Sequence, residues 1–135
     1  MNYESNSIRP RMISVLLAVP DIEQAVRLRQ QMEPYHCIIH VALDASDLAE
    51  SLGRFRPDVI VLDAEIAAAN HNVVFTGLSR RSPNNAIPVV MMTDDGVPPG
   101  WVVRLGGNAV VPKKSCGALL YRTIVACLSS AVCAA

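Results

Sequence analysis

The stretch Pro57-Asp58-Val59-Ile60-Val61-Leu62-Asp63 reads as a strand, because Val59–Leu62 is an unbroken apolar run, mostly β-branched. Such runs mark strands buried on both faces, as in parallel sheets covered by helices. The strand delivers one carboxylate, Asp63, to its C-terminal tip. An earlier run, Ile13-Ser14-Val15-Leu16-Leu17-Ala18-Val19, brings no acid with it. In an open α/β sheet, chemistry gathers outside the C-terminal strand ends, where the strand order reverses. A lone carboxylate there is a phosphate acceptor, a metal ligand or a remnant, and its neighbours must decide which.

Working outward, five apolar runs recur: Ile13–Val19, Cys37–Ala42, Val59–Leu62, Ile87–Met92 and Ala109–Val111. Helical segments lie between them, and that alternation predicts βαβ units and a parallel sheet. A first helix is expected from Asp21, with Gln24 completing a capping box and Ala25, Leu28 and Met32 facing inward. A second is expected from about Ser46 to Leu52, stopping at Gly53. After Asp63, residues 64–72 read as a small-residue loop, with a third helix at Val73–Arg81. Between Thr93 and Gly106, two prolines (Pro98, Pro99) and two glycines (Gly96, Gly100) leave room for a short or irregular fourth helix. The last helix starts near Ser115; Leu119, Leu120, Ile124 and Leu128 are expected inside, with Val125, Cys127 and Val132 pointing elsewhere.

The chain has 135 residues, which suits one domain. The expected division is a flexible segment over 1–11, a domain over 12–131 and a tail over 132–135. A hydrophobic fraction of 51% with 18% charged residues describes a globule. Lys+Arg and Asp+Glu are equal at 12 each, so no charge imbalance draws the chain to nucleic acid or an anionic membrane. Arg80-Arg81 reads as a solvated helix end. Cys37, Cys116, Cys127 and Cys133 lack CxxC spacing and are expected as free thiols in a reducing cytoplasm. His36 and His40 would face one side of a strand and Cys37 the other, which argues against a metal site there. The N-terminus has no charged-then-apolar signal pattern. The stretch Ala118–Ala135 is rich in Ala, Ser and Cys, and reads as a soluble helix and not a membrane span.

Three strand ends carry polar residues: Asp63, Thr93 and Lys113. At successive tips of one parallel sheet they would converge, the carboxylate as a nucleophile toward phosphorus and the others offsetting charge on the transferred group. Here the chain resembles the response-regulator receiver domain of two-component signalling. The matching segments are Pro57–Asp63, Pro88-Val89-Val90-Met91-Met92-Thr93 and Gly106-Gly107-Asn108-Ala109-Val110-Val111-Pro112-Lys113. The resemblance covers roughly residues 12 to 130 and implies a flavodoxin-like (βα)5 three-layer sandwich with strand order 2-1-3-4-5. It matches Asp63 to the phosphoacceptor, Thr93 to the switch hydroxyl and Lys113 to the invariant lysine.

The departures shape the functional expectation. The family's acidic pair, which helps hold Mg²⁺, falls on Leu17-Ala18 or Ala18-Val19, and neither choice has an acid. Val110 stands at the aromatic switch position, Lys114 replaces the proline after the lysine, and Ile66-Ala67 replaces a Met-Pro. Two further carboxylates beside Asp63 would repel it by up to about 4 kcal/mol per close pair at an effective dielectric near 20. Without them Lys113 is expected to pair with Asp63 in a metal-independent resting state. Asp21, Glu65, Asp94 and Asp95 lie near strand tips; they either lend a carboxylate or serve as a helix cap (Asp21) and solvated loop acids.

The expected function is an atypical receiver, not an enzyme, acting by protein–protein interaction with impaired Mg²⁺-dependent phosphorylation. The alternative is a response regulator phosphorylated on Asp63 by a histidine kinase, with Mg²⁺ as its cofactor; otherwise no cofactor is expected. A third class, a small ligand-binding α/β protein, leaves the ordered Asp63, Thr93 and Lys113 unexplained. Partners would be proteins, such as a histidine kinase or output protein, or a second copy through the last helix. Trp101, Val110 and Val125 are the interface candidates. No DNA-binding module is expected after the last helix, and a C-terminal output domain in a longer chain stays open.

Overall fold

The structure, a computed structural model, describes residues 12–70, 87–95, 107–115 and 117–134, with backbone alone at 107, 108 and 130–134. The chain runs β1 (Ile13–Ala18), α1 (Ile22–Met32), β2 (Cys37–Ala42), α2 (Ala45–Arg54), β3 (Val59–Asp63), α3 (Ala64–Ala69), β4 (Val89–Thr93), β5 (Gly107–Pro112) and α4 (Gly117–Ala134). The five strands form one sheet in the order β2-β1-β3-β4-β5, and every pairing is parallel. This is the flavodoxin-like order expected from the sequence.

Alternation along the strands divides the core into two layers. Leu16, Ile60, Leu62 and Met91 pack against Leu48 and Leu52 of α2 and Ile66 of α3. Val15, Leu17, Val61, Val90 and Met92 pack on the other face against Leu28 and Met32 of α1 and Leu120 and Ile124 of α4. Register is pinned where β3 begins. The Asp58 carboxylate accepts the Ser14 N–H at 2.8 Å, and the Asp58 N–H donates to the Ser14 carbonyl at 2.8 Å. That reciprocal pair sets Val59 beside Val15 and carries the register to Leu62 beside Ala18.

Several local expectations change. Asp21 caps α1 as expected, but its carboxylate accepts the N–H of Glu23 and not that of Gln24. Helix α2 starts one residue earlier, behind Asp44, and runs through Gly53 to Arg54. A Cβ at Gly53 would meet nothing within 4 Å, so this glycine sits at an uncrowded position that tertiary packing carries within the helix. Residues 64–69 are helical, and not a loop, because Asp63 caps them, Glu65 occupies the first turn and alanines favour the helix. On α4, Leu120 and Ile124 are buried, whereas Leu119 is 41% exposed and Cys127 is buried, reversing two assignments. The start of α4 at Gly117 is set by a close approach. A Cβ there would lie 2.6 Å from the Gln31 Cβ, so only glycine lets α4 rest on α1. Tyr35 and Tyr121 stack beside this contact with ring centroids 4.3 Å apart.

The expected helix at Val73–Arg81, the Arg80-Arg81 pair, the irregular fourth helix, Trp101, Cys116 and the 1–11 segment lie outside the described residues. Cys37 and Cys127 are free thiols, and burial pushes both pKa values up. No described helix is long and apolar enough to cross a membrane.

Candidate functional site

The sheet brings Asp63, Thr93 and Lys113 to one edge. Asp63 is the last residue of β3, paired with Met92; Thr93 ends β4 beside Pro112; Lys113 follows β5 directly. The Lys113 N–H donates to the Thr93 carbonyl at 2.7 Å, which fixes the backbone from which the lysine side chain reaches back. Its Nζ lies 3.1 Å from Asp63 Oδ1. The same Oδ1 accepts the Glu65 N–H at 2.8 Å, so one carboxylate oxygen both caps α3 and holds the ammonium.

Glu65 is the partner that the sequence reading assigned to a loop. It stands in the first turn of α3, and its Oε2 accepts a hydrogen bond from Lys113. Asp94 adds a third carboxylate at 3.5 Å, but its side chain is 92% exposed and such pairs contribute little. The signal for Glu65 was its place two residues beyond Asp63 in an alanine-rich stretch: once those residues are helical, an acid in the first turn lies beside the cap.

Burial sets the electrostatics. Asp63 is fully buried, and desolvation raises its pKa even though the Glu65 N–H and Lys113 pull it down. Burial also works against the Lys113 charge, but its bonds to Glu65 and Asp63 outweigh that, and its pKa is pushed up to about 12. Lys113 is therefore the fixed charge of the site. At these strand tips two buried polar atoms lack partners among the described residues: Asp63 Oδ2 and the hydroxyl of Thr93, itself 6% exposed; Gln31 Oε1 and Ser115 Oγ are unpartnered elsewhere. Buried groups of this kind cost free energy until something bonds them.

The tip of β1 is apolar and sealed. Leu17, Ala18 and Val19 are at most 2% exposed, and the Val19 N–H donates to the Ala42 carbonyl at 3.0 Å. Since Ala18 pairs with Leu62, Val19 stands level with Asp63. Above these residues opens a cleft of about 640 Å³, lined by Pro20, Asp21, Arg27, Glu65, Asp94, Lys113 and others. Asp21 reaches its rim, but its carboxylate is engaged by the first turn of α1. Among the described residues, no three His, Cys, Asp or Glu side chains are grouped as a metal site. Cys37 packs on the α1 and α4 side of the sheet, whereas His40 stands 4.5 Å from the Phe55 ring on the opposite side.

Of the interface candidates, the two described, Val110 and Val125, are not brought together. Val110 is half-buried against the core layer under α2 and α3, and Val125 is 37% exposed on α4 across the sheet.

The fold is that of receiver domains, although no family model matches the chain and no curated protein matches it. One similar structure is the receiver domain of a sensor histidine kinase from Pseudomonas aeruginosa PAO1, described with a magnesium ion in its active-site cleft. It has a TM-score of 0.74 and 15% identity, over 88% of this chain and 99% of that one. The signal receiver domain of a putative LuxO repressor from Vibrio parahaemolyticus has a TM-score of 0.74 and 17% identity, over 90% and 93%. The signal receiver domain of a DNA-binding response regulator from Colwellia psychrerythraea 34H has a TM-score of 0.65 and 28% identity, over 84% and 95%.

Proposed function

We propose that this chain is an atypical receiver, a protein-binding signalling module and not an enzyme, in which Mg²⁺-dependent phosphorylation of Asp63 is impaired. The observation that carries this reading is the pairing of a fully buried Asp63 with Lys113 beside a β1 tip made only of Leu17, Ala18 and Val19. Mg²⁺ takes oxygen ligands in a near-octahedral shell and needs carboxylates to compete with water. Here the β1 tip offers none, and one Asp63 oxygen is already committed to Lys113 and the Glu65 N–H. The residues present do not fit the ion. Losing one preorganised charge-stabilising donor costs roughly 10²–10³ in rate, and a divalent cation supplies more charge than one hydrogen bond.

The partners this reading calls for are proteins of a phosphorelay, a histidine kinase or an output protein, in the cytoplasm. Leu119 and Val125, both exposed on α4, support contact through that helix, with a second copy of the chain as one occupant. Analytical ultracentrifugation of the protein and of Val125→Glu tests self-association. A monomer at every concentration removes it.

The second reading is a phosphate-accepting response regulator. It is favoured by Asp63, Thr93 and Lys113 standing at three successive strand tips, with Asp63 Oδ2 and the Thr93 hydroxyl unpartnered. Incubation with acetyl phosphate and Mg²⁺, followed by intact-mass measurement, separates the two. No stoichiometric phosphate adduct is expected. An adduct that Asp63→Asn abolishes would establish the second reading instead.

A further inference from the structure

Lys113 does more than neutralise Asp63. Its ammonium is held from two sides, by the buried carboxylate beneath and by Glu65 on the solvent side, where the Glu65 side chain is 67% exposed. Lys113 itself keeps only 15% of its side-chain exposure. Both acids belong to one short segment, since Asp63 caps the helix whose first turn holds Glu65. The ammonium therefore lies across the cap like a bar, closing the approach to Asp63 from the cleft lined by Glu65, Asp94 and Lys113. The strand tips it adjoins carry two buried, unmet hydrogen-bonding atoms, Asp63 Oδ2 and Thr93 Oγ1. A polar floor with unsatisfied groups marks a site built to take a polar occupant, and the bar keeps that occupant out.

We propose that the Lys113–Glu65 ion pair is an autoinhibitory latch over Asp63, so that Glu65 is a positioning residue controlling access to the buried carboxylate. This rests on the second reading above, in which Asp63 is the group that accepts phosphate. A partner that supplies its own cation to Glu65 releases Lys113 and uncovers Asp63 and Thr93; a partner that does not leaves the site shut. Asp94, at 3.5 Å and almost fully exposed, is not part of the bar.

The sequence supplies its own probe, because Lys113 and Lys114 are the only lysines in the chain. Lys114 is exposed and serves as the internal reference for its neighbour. The folded protein is treated briefly with acetic anhydride at constant pH, and acetylation at each lysine is localised by fragment-ion mass spectrometry. In the wild type, Lys113 is expected to label at least about ten-fold more slowly than Lys114. In Glu65→Gln the gap closes by about ten-fold, the equilibrium factor of one charge-assisted hydrogen bond at the low end of its range. Asp94→Asn leaves the gap unchanged. Equal labelling of the two lysines in the wild type overturns the latch, as does protection that persists in Glu65→Gln. An effect of Asp94→Asn as large as that of Glu65→Gln overturns the assignment to Glu65. Far-UV circular dichroism confirms that each variant is folded, which an exposed glutamate should permit. The readout needs neither phosphate nor Mg²⁺, so its failure is distinct from failure of the functional reading, which the acetyl phosphate experiment decides.

Discussion

The tips of β1 and β3 lie side by side in register, yet one is dry hydrocarbon and the other holds a buried carboxylate. Val19, level with Asp63, packs with Leu17 into the layer under α1 and α4. Asp63 has no acidic neighbour on that side and a lysine on the other. The contrast shows how the charge of Asp63 is balanced from one side only. With apolar residues at the β1 tip, a single ammonium is enough to balance one carboxylate, and the Glu65 charge then ties that ammonium down.

The most disruptive test puts an acid on the dry side. Val19→Asp should lower stability by about 3–5 kcal/mol at neutral pH, since it buries a second carboxylate beside Asp63. Chemical denaturation measures it, and an undiminished midpoint would mean the β1 tip is not sealed. Next in size is Lys113→Met, expected to cost about 3 kcal/mol at pH 7 by leaving Asp63 unpaired. That penalty should shrink as pH falls through the raised Asp63 pKa and the carboxyl takes up a proton; a loss independent of pH would show that the lysine acts by packing alone.

A smaller effect separates the three aspartate caps. Asp21, Asp44 and Asp63 each accept an N–H from the first turn of a helix, but only Asp63 is buried. Asp44→Ala should cost about 1 kcal/mol, read from the thermal midpoint. Asp63→Asn keeps a capping oxygen and removes the buried charge, so its effect is the smallest at neutral pH. Burial raises the Asp63 pKa above its ordinary 3.8, so the stability contributed by the protonated form is complete below that value. It is lost as pH climbs through the raised value. Wild type should therefore lose stability relative to Asp63→Asn as pH rises from 3.8 through the raised Asp63 pKa, and a difference that runs the other way would contradict the burial argument. Lys113 adds the complementary limit, its contribution complete below 10.5 and lost as pH passes about 12.

Much of this arrangement was legible in the chain. Unbroken apolar runs such as Val59–Leu62 carry their own signal, because a strand buried on both faces needs no alternation. The place of Asp63, Thr93 and Lys113 followed from where those runs end. The stripe Ala25, Leu28 and Met32 followed from helical spacing. The stretch 64–69 reads as a loop in sequence because six residues are too few to declare a helix by periodicity, and its start depends on Asp63 serving as strand end and cap at once. Leu119 and Cys127 were misassigned because α4 is apolar on most sides, which leaves periodicity little to select.

The sequence by itself determined the sheet, its polar strand tips and the absence of an acid at Leu17–Val19. Only the tertiary structure decided that Asp63 is wholly desolvated, that Val110 turns into the layer beneath α2 and α3, and that Glu65 takes hold of Lys113. The physical reason is range. Strand formation is written in a few consecutive side chains, whereas the Lys113–Glu65 bond joins residues 48 positions apart. The pKa of Asp63 likewise depends on which distant segments exclude water from it, a quantity that no local pattern contains.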